Sequence, residues 1–254
     1  MAERIPLLEF SPDKQAVIMP GHDDVYEPFP PKAAFAFLGD EVERYCLEQN
    51  ARIAGVFRTI TKDFPVYILE HRGEEVCVVQ APLGAPAAAQ FLDWLAGNGV
   101  RRVISSGSCG ALIPFEENVF LVPFRALRDE GTSFHYAPAS RFIGIGSAAR
   151  EAIRAALKEH GLRYQEVVTW TTDGFFRETK EKVRRRVEEG CSVVEMECAA
   201  LAAVSEMRGL TFGQLLYTAD SLADTDAFDP RDWGSASLSP AMLLCLDALY
   251  YLEP

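Results

Sequence analysis

The sequence predicts an α/β fold in one domain that spans residues 1–254. Short apolar runs rich in β-branched residues alternate with longer segments of helical periodicity, and this alternation is typical of strands joined by helices. The composition agrees, because 48% of the residues are apolar and 24% are charged, which is a globular balance. No internal repeat and no linker rich in Pro, Gly or Ser divides the chain.

The N-terminal half contains three predicted strands and one helix. The run "AVIMPG" (16–21) predicts a strand that ends in a Pro-Gly turn, and "EVCVVQAP" (75–82) predicts the next strand. The segment "APAAAQFLDWLAGNG" (85–99) predicts a helix closed by glycine. The apolar start and glycine-rich end of "RRVISSGSCG" (101–110) predict a strand and its turn.

In the C-terminal half, predicted helices and strands alternate regularly. Apolar periodicity predicts helices, with Gly161 as a C-terminal cap, and β-branched runs predict the strands between them. The irregular stretch 221–237 is rich in Asp and Ser and predicts a functional loop. The predicted helices are 147–161, 177–190, 198–209 and 239–251, and the predicted strands are 164–172, 191–197 and 212–220.

Charge and cysteine spacing exclude several classes of function. The formal net charge of −12 argues against binding to a nucleic-acid backbone, which requires clustered Lys and Arg. Six scattered cysteines without a CxxC pair predict free thiols rather than a disulfide framework or a metal site. The N-terminus lacks the long apolar region of a signal peptide, and no apolar stretch reaches transmembrane length. We therefore expect a cytoplasmic protein that does not associate with a membrane.

Two glutamates, Glu195 and Glu197, interrupt the apolar run "VVEMECAALAAVSEMRG" where a buried strand is predicted to become a helix. Burying unpaired carboxylates is costly, so each needs a partner. One possible partner is the vicinal diol of ribose, which donates two hydrogen bonds to one carboxylate. The alternative is an internal brace through an arginine or backbone N–H groups, and this alternative stays open for Glu195.

Other strand ends carry weaker signals. The turn "SSGSCG" (105–110) offers backbone N–H groups and Ser108 to an anion, or is an ordinary tight turn. His135 lies among aromatic residues and either lines a pocket or is a core group. Phe175, which follows Asp173-Gly174 at a strand end, is either a stacking wall for a planar ligand or part of the core.

Five motifs together resemble the nucleoside phosphorylase/uridine phosphorylase superfamily. "VVEMECAAL" resembles that family's EMExAAL segment, and "VIMPG" is similar to its N-terminal phosphate loop. The others are "PLGAPAAAQFL", "SGSCGAL" and "LYTADSL", with "TTDGFFRETKEK" similar to the uridine phosphorylase branch. The resemblance implies a three-layer α/β/α domain with a central mixed, partly barrel-like sheet. It also implies a homo-oligomer built from dimers, with a hexamer as one form.

The resemblance assigns roles to individual residues. Glu197 and Met196 match the residues that bind the ribose, and Glu195 matches a neighbouring acidic position. Phe175 matches the aromatic residue stacked on the base. Asp220 matches the aspartate that protonates N7 of a purine leaving group, and Arg231 matches the arginine that assists it.

The phosphate site departs from the family pattern. Gly21 and Ser108 match phosphate-binding positions, and Lys62 matches a cation donated by the adjacent subunit. Val25 and Ser105, however, stand where the family carries arginines. Losing charge-assisted donors weakens phosphate binding. Thr179 and Glu181 replace the residues that read uracil, which argues against uridine and favours a purine.

The resemblance implies cleavage of the N-glycosidic bond of a nucleoside without a cofactor. Phosphorolysis, with inorganic phosphate as co-substrate, is the first hypothesis. The second is hydrolysis, with Asp23 or Asp24 as the base that activates water. The third is a catalytically silent nucleoside-binding protein.

Overall fold

The apolar runs of the chain form a mixed sheet of ten strands. The computed structural model describes residues 5–21 and 27–253. The strands are β1 Lys32–Ala36, β2 Arg52–Arg58, β3 Asp63–His71, β4 Glu74–Gln80, β5 Arg102–Ala111, β6 Phe120–Asp129, β7 Phe142–Gly144, β8 Tyr164–Thr172, β9 Cys191–Glu195 and β10 Thr211–Ser221. The α-helices are α1 Asp40–Glu48, α2 Ala85–Gly97, α3 Ser133–Tyr136, α4 Ser147–Glu159, α5 Lys180–Glu188, α6 Cys198–Arg208 and α7 Leu238–Tyr250.

Part of the sheet closes on itself. The strand order is β10-β6-β8-β9-β5-β1-β4-β3-β2, with β7 beside β6, and β10 also pairs with β5. Strands β5, β10, β6, β8 and β9 therefore form a closed five-stranded barrel. Its narrowest seam lies between β5 and β9, where Gly110 pairs with Val194 and Ala111 pairs with Val193. The predicted mixed, partly barrel-like sheet is confirmed.

Helices cover both faces of the sheet. On one face α2 and α6 bury apolar side chains such as Phe91 and Leu201. On the other face α1, α4 and α7 bury side chains such as Val42, Leu157 and Leu246. An amphipathic helix packed on each face is the arrangement that buries both sides of a largely parallel sheet, so the predicted three layers are present.

The predicted elements match the structure with one exception. The five predicted helices are found as α2, α4, α5, α6 and α7, and every helix end lies within three residues of its predicted position. The predicted strand at 16–21 is wrong, because these residues form no strand and Val17 and Ile18 are fully or largely exposed. The position beside β5 belongs instead to β1, which pairs with it in parallel. Strands β1, β2, β3, β6 and β7 and helices α1 and α3 were not predicted.

The six cysteines are all free and buried. Within residues 5–21 and 27–253, none of the helices has the length and apolar character that crossing a bilayer requires.

Candidate active site

The carboxyl ends of three parallel strands meet at one edge of the sheet. Ala36 at the end of β1 lies beside Ser106 of β5, and Thr218 of β10 lies beside Cys109. Ser108 is exposed although its neighbours Gly107 and Cys109 are buried, so the strand opens to solvent at this hydroxyl. Ligands of open α/β sheets bind at such edges.

Glu195 holds the turn between β9 and α6. Its Oε1 accepts hydrogen bonds from the hydroxyls of Thr169 (3.1 Å) and Thr171 (2.6 Å). Its Oε2 accepts the backbone N–H groups of Glu197 (2.7 Å) and Cys198 (2.6 Å) at the start of α6. Burial raises the pKa of Glu195, and these four donors oppose that rise. Both oxygens are occupied by protein donors, so the geometry is that of an internal brace.

Glu197 is a buried carboxylate that contacts the N-terminal end of α2. Its side chain is 5% exposed, and its Oε1 accepts the N–H of Gly84 at 2.6 Å, immediately before α2. Burial, followed by the charge of Glu195, raises the pKa of Glu197 to about 8. Met196 is half-buried on the same turn. The sugar-binding roles of these residues stay predictions.

Asp220 lies at the end of β10, next to the barrel seam. It is 6% exposed, and within the described residues its carboxylate accepts no hydrogen bond from another residue. Burial raises the pKa of Asp220, while the nearby charge of Arg231 opposes the shift. The Arg231 guanidinium donates to the carbonyls of Phe115 (2.6 Å) and Ala219 (3.3 Å), so it is held beside Asp220 by the backbone.

Gly110 leaves room for Asp220. A Cβ at Gly110 would lie 2.9 Å from Leu222 Cδ1, 3.0 Å from Val194 Cγ1 and 3.3 Å from Asp220 Oδ1. If Asp220 has the proton-donor role that the resemblance implies, we expect Gly110→Ala to displace it and to lower kcat/KM for base release by about 10- to 100-fold, since small displacements of a catalytic group are costly. The matched control is Gly144→Ala, where a Cβ meets nothing within 4 Å. Steady-state kinetics of both variants test this, and equal activity in the two would contradict it.

Phe175 and an unpredicted acid, Glu178, follow the end of β8. Phe175 is 42% exposed and contacts Phe176 edge-on, with ring centroids 5.0 Å apart. Glu178 follows the short helical turn Phe175–Arg177 and is half-buried. Burial and the charge of Asp220 raise the pKa of Glu178 to about 7. Sequence reasoning missed Glu178 because it lies in the polar stretch "RETKEK", which has no pattern that separates it from a solvated helix start.

The predicted phosphate loop at Gly21 is wrong for this chain. A Cβ at Gly97, at the C-terminal end of α2, would lie 2.5 Å from the Pro20 backbone and 2.7 Å from Gly21 N. Gly84, which bonds Glu197, precedes the opposite end of α2, and a helix of this length spans about 20 Å. Gly21 is therefore on the far side of the helix. Asp23, Asp24 and Val25 lie outside the described residues.

The turn that follows β1, Gly39–Asp40, leaves the sheet at the same edge as Ser108. The N–H of Phe37 donates to Ser106 O at 2.7 Å, and a Cβ at Gly107 would lie 3.0 Å from Phe37 Cβ. Residues 37–40 therefore run alongside β5 as it approaches Ser108. The first turn of α1 is acidic, with Asp40, Glu41 and Glu43, and Glu41 is paired with Arg44.

Two cations, Arg44 and Lys62, are candidates for binding an anion at this edge of the sheet. Arg44 forms ion pairs with Glu41 and Glu48. Lys62 is exposed in the β2–β3 turn with its ammonium 5.5 Å from the Phe64 ring centre. Strands β1 and β4 separate β3 from β5, so Lys62 lies at least about 14 Å from Ser108 of the same subunit by strand spacing.

Two further predicted positions do not join the carboxylates. His135 is exposed on α3, where its N–H donates to Thr132 O at 3.0 Å. Ser105 is fully buried, and its hydroxyl has no partner in the described part of the chain.

One group of side chains in the described residues has the spacing of metal ligands. It consists of Glu159, His160 and Asp247, at the ends of α4 and α7. Arg72 lies 3.0 Å from Glu159 Oε2 and 2.8 Å from Asp247 Oδ1, so a cation already neutralises this group. Arg72 is in the β3–β4 turn, at the opposite edge of the sheet from Ser108.

Comparisons with known proteins agree with this geometry. The guanosine phosphorylase of Halorubrum lacusprofundi is 23% identical over 155 residues, which is 61% of this chain and 64% of that relative's length. AMP nucleosidase from Bacteroides thetaiotaomicron superposes with a TM-score of 0.70 at 24% identity, over 87% of this chain and 88% of that one. Purine nucleoside phosphorylase from Toxoplasma gondii superposes with a TM-score of 0.75 at 17% identity, over 87% and 91%.

The two solved structures establish the fold, and a family model establishes the family. The model described as the phosphorylase superfamily matches residues 33–243, which begin in β1 and end in α7. The match includes the turns that carry Ser108, Glu197 and Asp220, and it excludes Gly21. The chain therefore belongs to the phosphorylase superfamily.

Proposed function

We propose that the protein cleaves the N-glycosidic bond of a purine nucleoside. The observation that carries this proposal is Asp220, a buried carboxylate with a raised pKa that no other described residue hydrogen-bonds. A carboxyl group in that condition is suited to donate a proton to a leaving group. The opposite requirement, a carboxylate that accepts from the sugar hydroxyls, is met by Glu197 beside Gly84.

The proposed chemistry assigns one task to each residue. Asp220 gives its proton to N7 of the purine as the bond between C1′ and N9 breaks. In its ionised form Glu197 accepts the ribose hydroxyls and places negative charge near the developing oxocarbenium ion. Because its pKa in the ligand-free fold is about 8, the ionised fraction grows as pH rises toward that value. Phe175 stacks against the base. A nucleophile then bonds to C1′, and the free base leaves with the proton from Asp220.

Water is the nucleophile that the electrostatics favour. The turn that follows β1 begins an acidic helix, and Arg44 is already paired with Glu41. Lys62 lies at least about 14 Å from Ser108 of the same subunit. A dianionic phosphate needs preorganised cationic donors, whereas water needs a base. We propose Asp40 as that base, in place of Asp23 or Asp24. Asp40 accepts one proton from water as the remaining hydroxide bonds to C1′.

Phosphorolysis is the second candidate. Ser108 offers an exposed hydroxyl at the correct strand end, and the chain is similar to proteins named as phosphorylases. In this case Lys62 of one subunit would supply the missing cation to its neighbour. Ile53 on the edge strand β2 is 59% exposed and Ile60 in the turn after it is 104% exposed, and this apolar surface supports a homo-oligomer built from dimers, which we place in the cytoplasm. A monomer mass in light scattering would exclude that assembly.

A nucleoside panel assayed with and without inorganic phosphate tests the function. We expect release of free purine in phosphate-free buffer, with ribose as the second product. Release that depends on phosphate and yields ribose 1-phosphate would replace hydrolysis with phosphorolysis. Binding without any release would show a silent nucleoside-binding protein. Asp63→Asn, at an exposed residue on β3, is the control for nonspecific losses.

A further inference from the structure

Glu178 is a carboxylate that the proposed reaction leaves unused. It is half-buried, and it forms no hydrogen bond or ion pair within the part of the chain that the structure describes. The two nearest lysines in sequence are occupied, since Lys180 pairs with Asp226 and Lys182 pairs with Asp129 at 3.0 Å. A partly desolvated acid beside two engaged lysines costs stability unless a ligand meets it.

Three features place Glu178 at the base end of the site. It follows Phe175 by three residues, across a single helical turn. It lines a small cavity of about 170 Å³ together with Leu222, which comes two residues after Asp220. Gly110 brings Leu222 and Asp220 to one point, because a Cβ there would touch both side chains. Glu178 and Asp220 therefore both lie near Leu222, and Asp220 is just outside the cavity that Glu178 lines.

A purine offers complementary groups to such a pair. Its N7 is an acceptor in every case, whereas its 6-position is an amino donor in adenine and an oxo acceptor in guanine and hypoxanthine. Protonated Asp220 donates to N7. An ionised Glu178 accepts a hydrogen bond from a 6-amino group and opposes the lone pairs of a 6-oxo group.

We propose that Glu178 determines specificity at the 6-position and selects 6-aminopurines over 6-oxopurines. The proposal rests on the purine site proposed above, and it does not depend on which nucleophile attacks the sugar. Discrimination arises because a buried acceptor facing another acceptor leaves both unpaired, which is more costly than losing one methylene contact.

The proposal carries a pH dependence of defined sign. Burial and the charge of Asp220 raise the pKa of Glu178 to about 7. Above this pH Glu178 is ionised and only accepts, so adenine is preferred. Below this pH Glu178 is protonated and donates to a 6-oxo group, so the preference for 6-aminopurines over 6-oxopurines becomes smaller. Lys182, which lowers the pKa of Glu178, and Asp220 are the charged groups that act on it.

The test is calorimetric binding of the free bases adenine and hypoxanthine at about pH 6 and about pH 8, on either side of the Glu178 pKa of about 7. We expect the wild-type protein to prefer adenine by roughly 10-fold or more at the higher pH and by only about 2- to 3-fold at the lower. In Glu178→Gln the amide both donates and accepts, so the preference falls to about 2-fold or less at both pH values. Glu188→Gln, 69% exposed at the end of the following helix α5, keeps the wild-type pattern.

Each outcome has one meaning. A wild-type preference that does not change with pH, or that survives in Glu178→Gln, overturns the proposal, as does binding of neither base. If the protein cleaves no nucleoside but prefers adenine with the expected pH dependence, the specificity role of Glu178 is supported and the proposed reaction is rejected. The wild-type pH comparison needs no variant, so poor folding of Glu178→Gln does not blunt the test.

Discussion

Asp220→Asn is expected to slow the release of purine from a nucleoside by about 10²- to 10⁴-fold, the range that general acid catalysis supplies. Asparagine preserves the size of the side chain but has no acidic proton to give to N7. The pocket keeps its shape, because Gly110 and the Arg231 contacts to backbone carbonyls do not involve the carboxylate proton. Single-turnover kinetics with the preferred nucleoside measure this loss.

A substrate with a better leaving group separates proton transfer from binding. Nitrophenyl riboside releases a stable anion, so its cleavage needs no protonation and should be nearly the same in Asp220→Asn and in the wild type. The binding of free purine should change by less than about 3-fold, since only one hydrogen bond weakens. Asp224→Asn, an exposed position on the same segment, is the matched control. If both substrates slow equally, Asp220 is not the proton donor.

Glu197→Gln is expected to abolish most activity and at the same time to stabilise the ligand-free fold. Glutamine still accepts the N–H of Gly84 through its oxygen, but it accepts ribose hydroxyls with one oxygen instead of two. A charge-assisted contact that strengthens in the transition state is lost, which lowers kcat/KM by about 10²- to 10³-fold. Steady-state kinetics measure this part.

The stability gain has a pH dependence of known sign. The folded pKa of Glu197 is about 8 against a reference value of 4.5, so the folded state retains a proton that the unfolded state releases. Wild-type stability therefore declines as pH rises from about 5 to about 8, and Glu197→Gln removes this decline. At neutral pH we expect a gain on the order of 2 kcal/mol, read from chemical denaturation. A variant less stable than wild type throughout this range would contradict the assignment.

Glu195→Gln provides the contrast within the same turn. Its amide NH₂ would face two of the four donors that Glu195 now accepts, so burial of like donors should destabilise the fold by about 1–3 kcal/mol. Opposite signs of the stability change at Glu195 and Glu197 would separate the brace from the ligand-facing carboxylate.

The sequence alone pointed to these carboxylates, because the free-energy cost of burying each one can be inferred from its immediate neighbours in the chain. Two glutamates inside "VVEMECAAL" demand partners, and an aspartate at the end of "LLYTAD" marks a strand end, so their convergence at one edge follows from strand direction. The sequence did not show which of Glu195 and Glu197 braces the turn. That role depends on Thr169 and Thr171 of the neighbouring strand β8, where Thr171 pairs with Glu195, and pairing register is a tertiary property.

The error at Gly21 has a similar origin. The segments "VIMPG" and "FAFLGD" both end an apolar run in glycine, and local pattern favoured the first. Only the parallel pairing of β1 with β4 and β5 shows which glycine reaches the site. Closure of the barrel through β10 and β5 was likewise invisible locally, and with it the approach of Glu178 to Asp220.

The four-donor clasp of Glu195 has a consequence for how this scaffold changes over evolutionary time. The acid that secures the strand-to-helix turn and the acid that faces the ligand are different side chains, two positions apart. Losing Glu197 or Asp220 therefore removes chemistry without loosening the turn, whereas losing Glu195 disturbs both. Descendants of this chain that lose catalysis should accumulate substitutions at positions 197 and 220 first and should retain glutamate at 195, because Glu195 stabilises the turn.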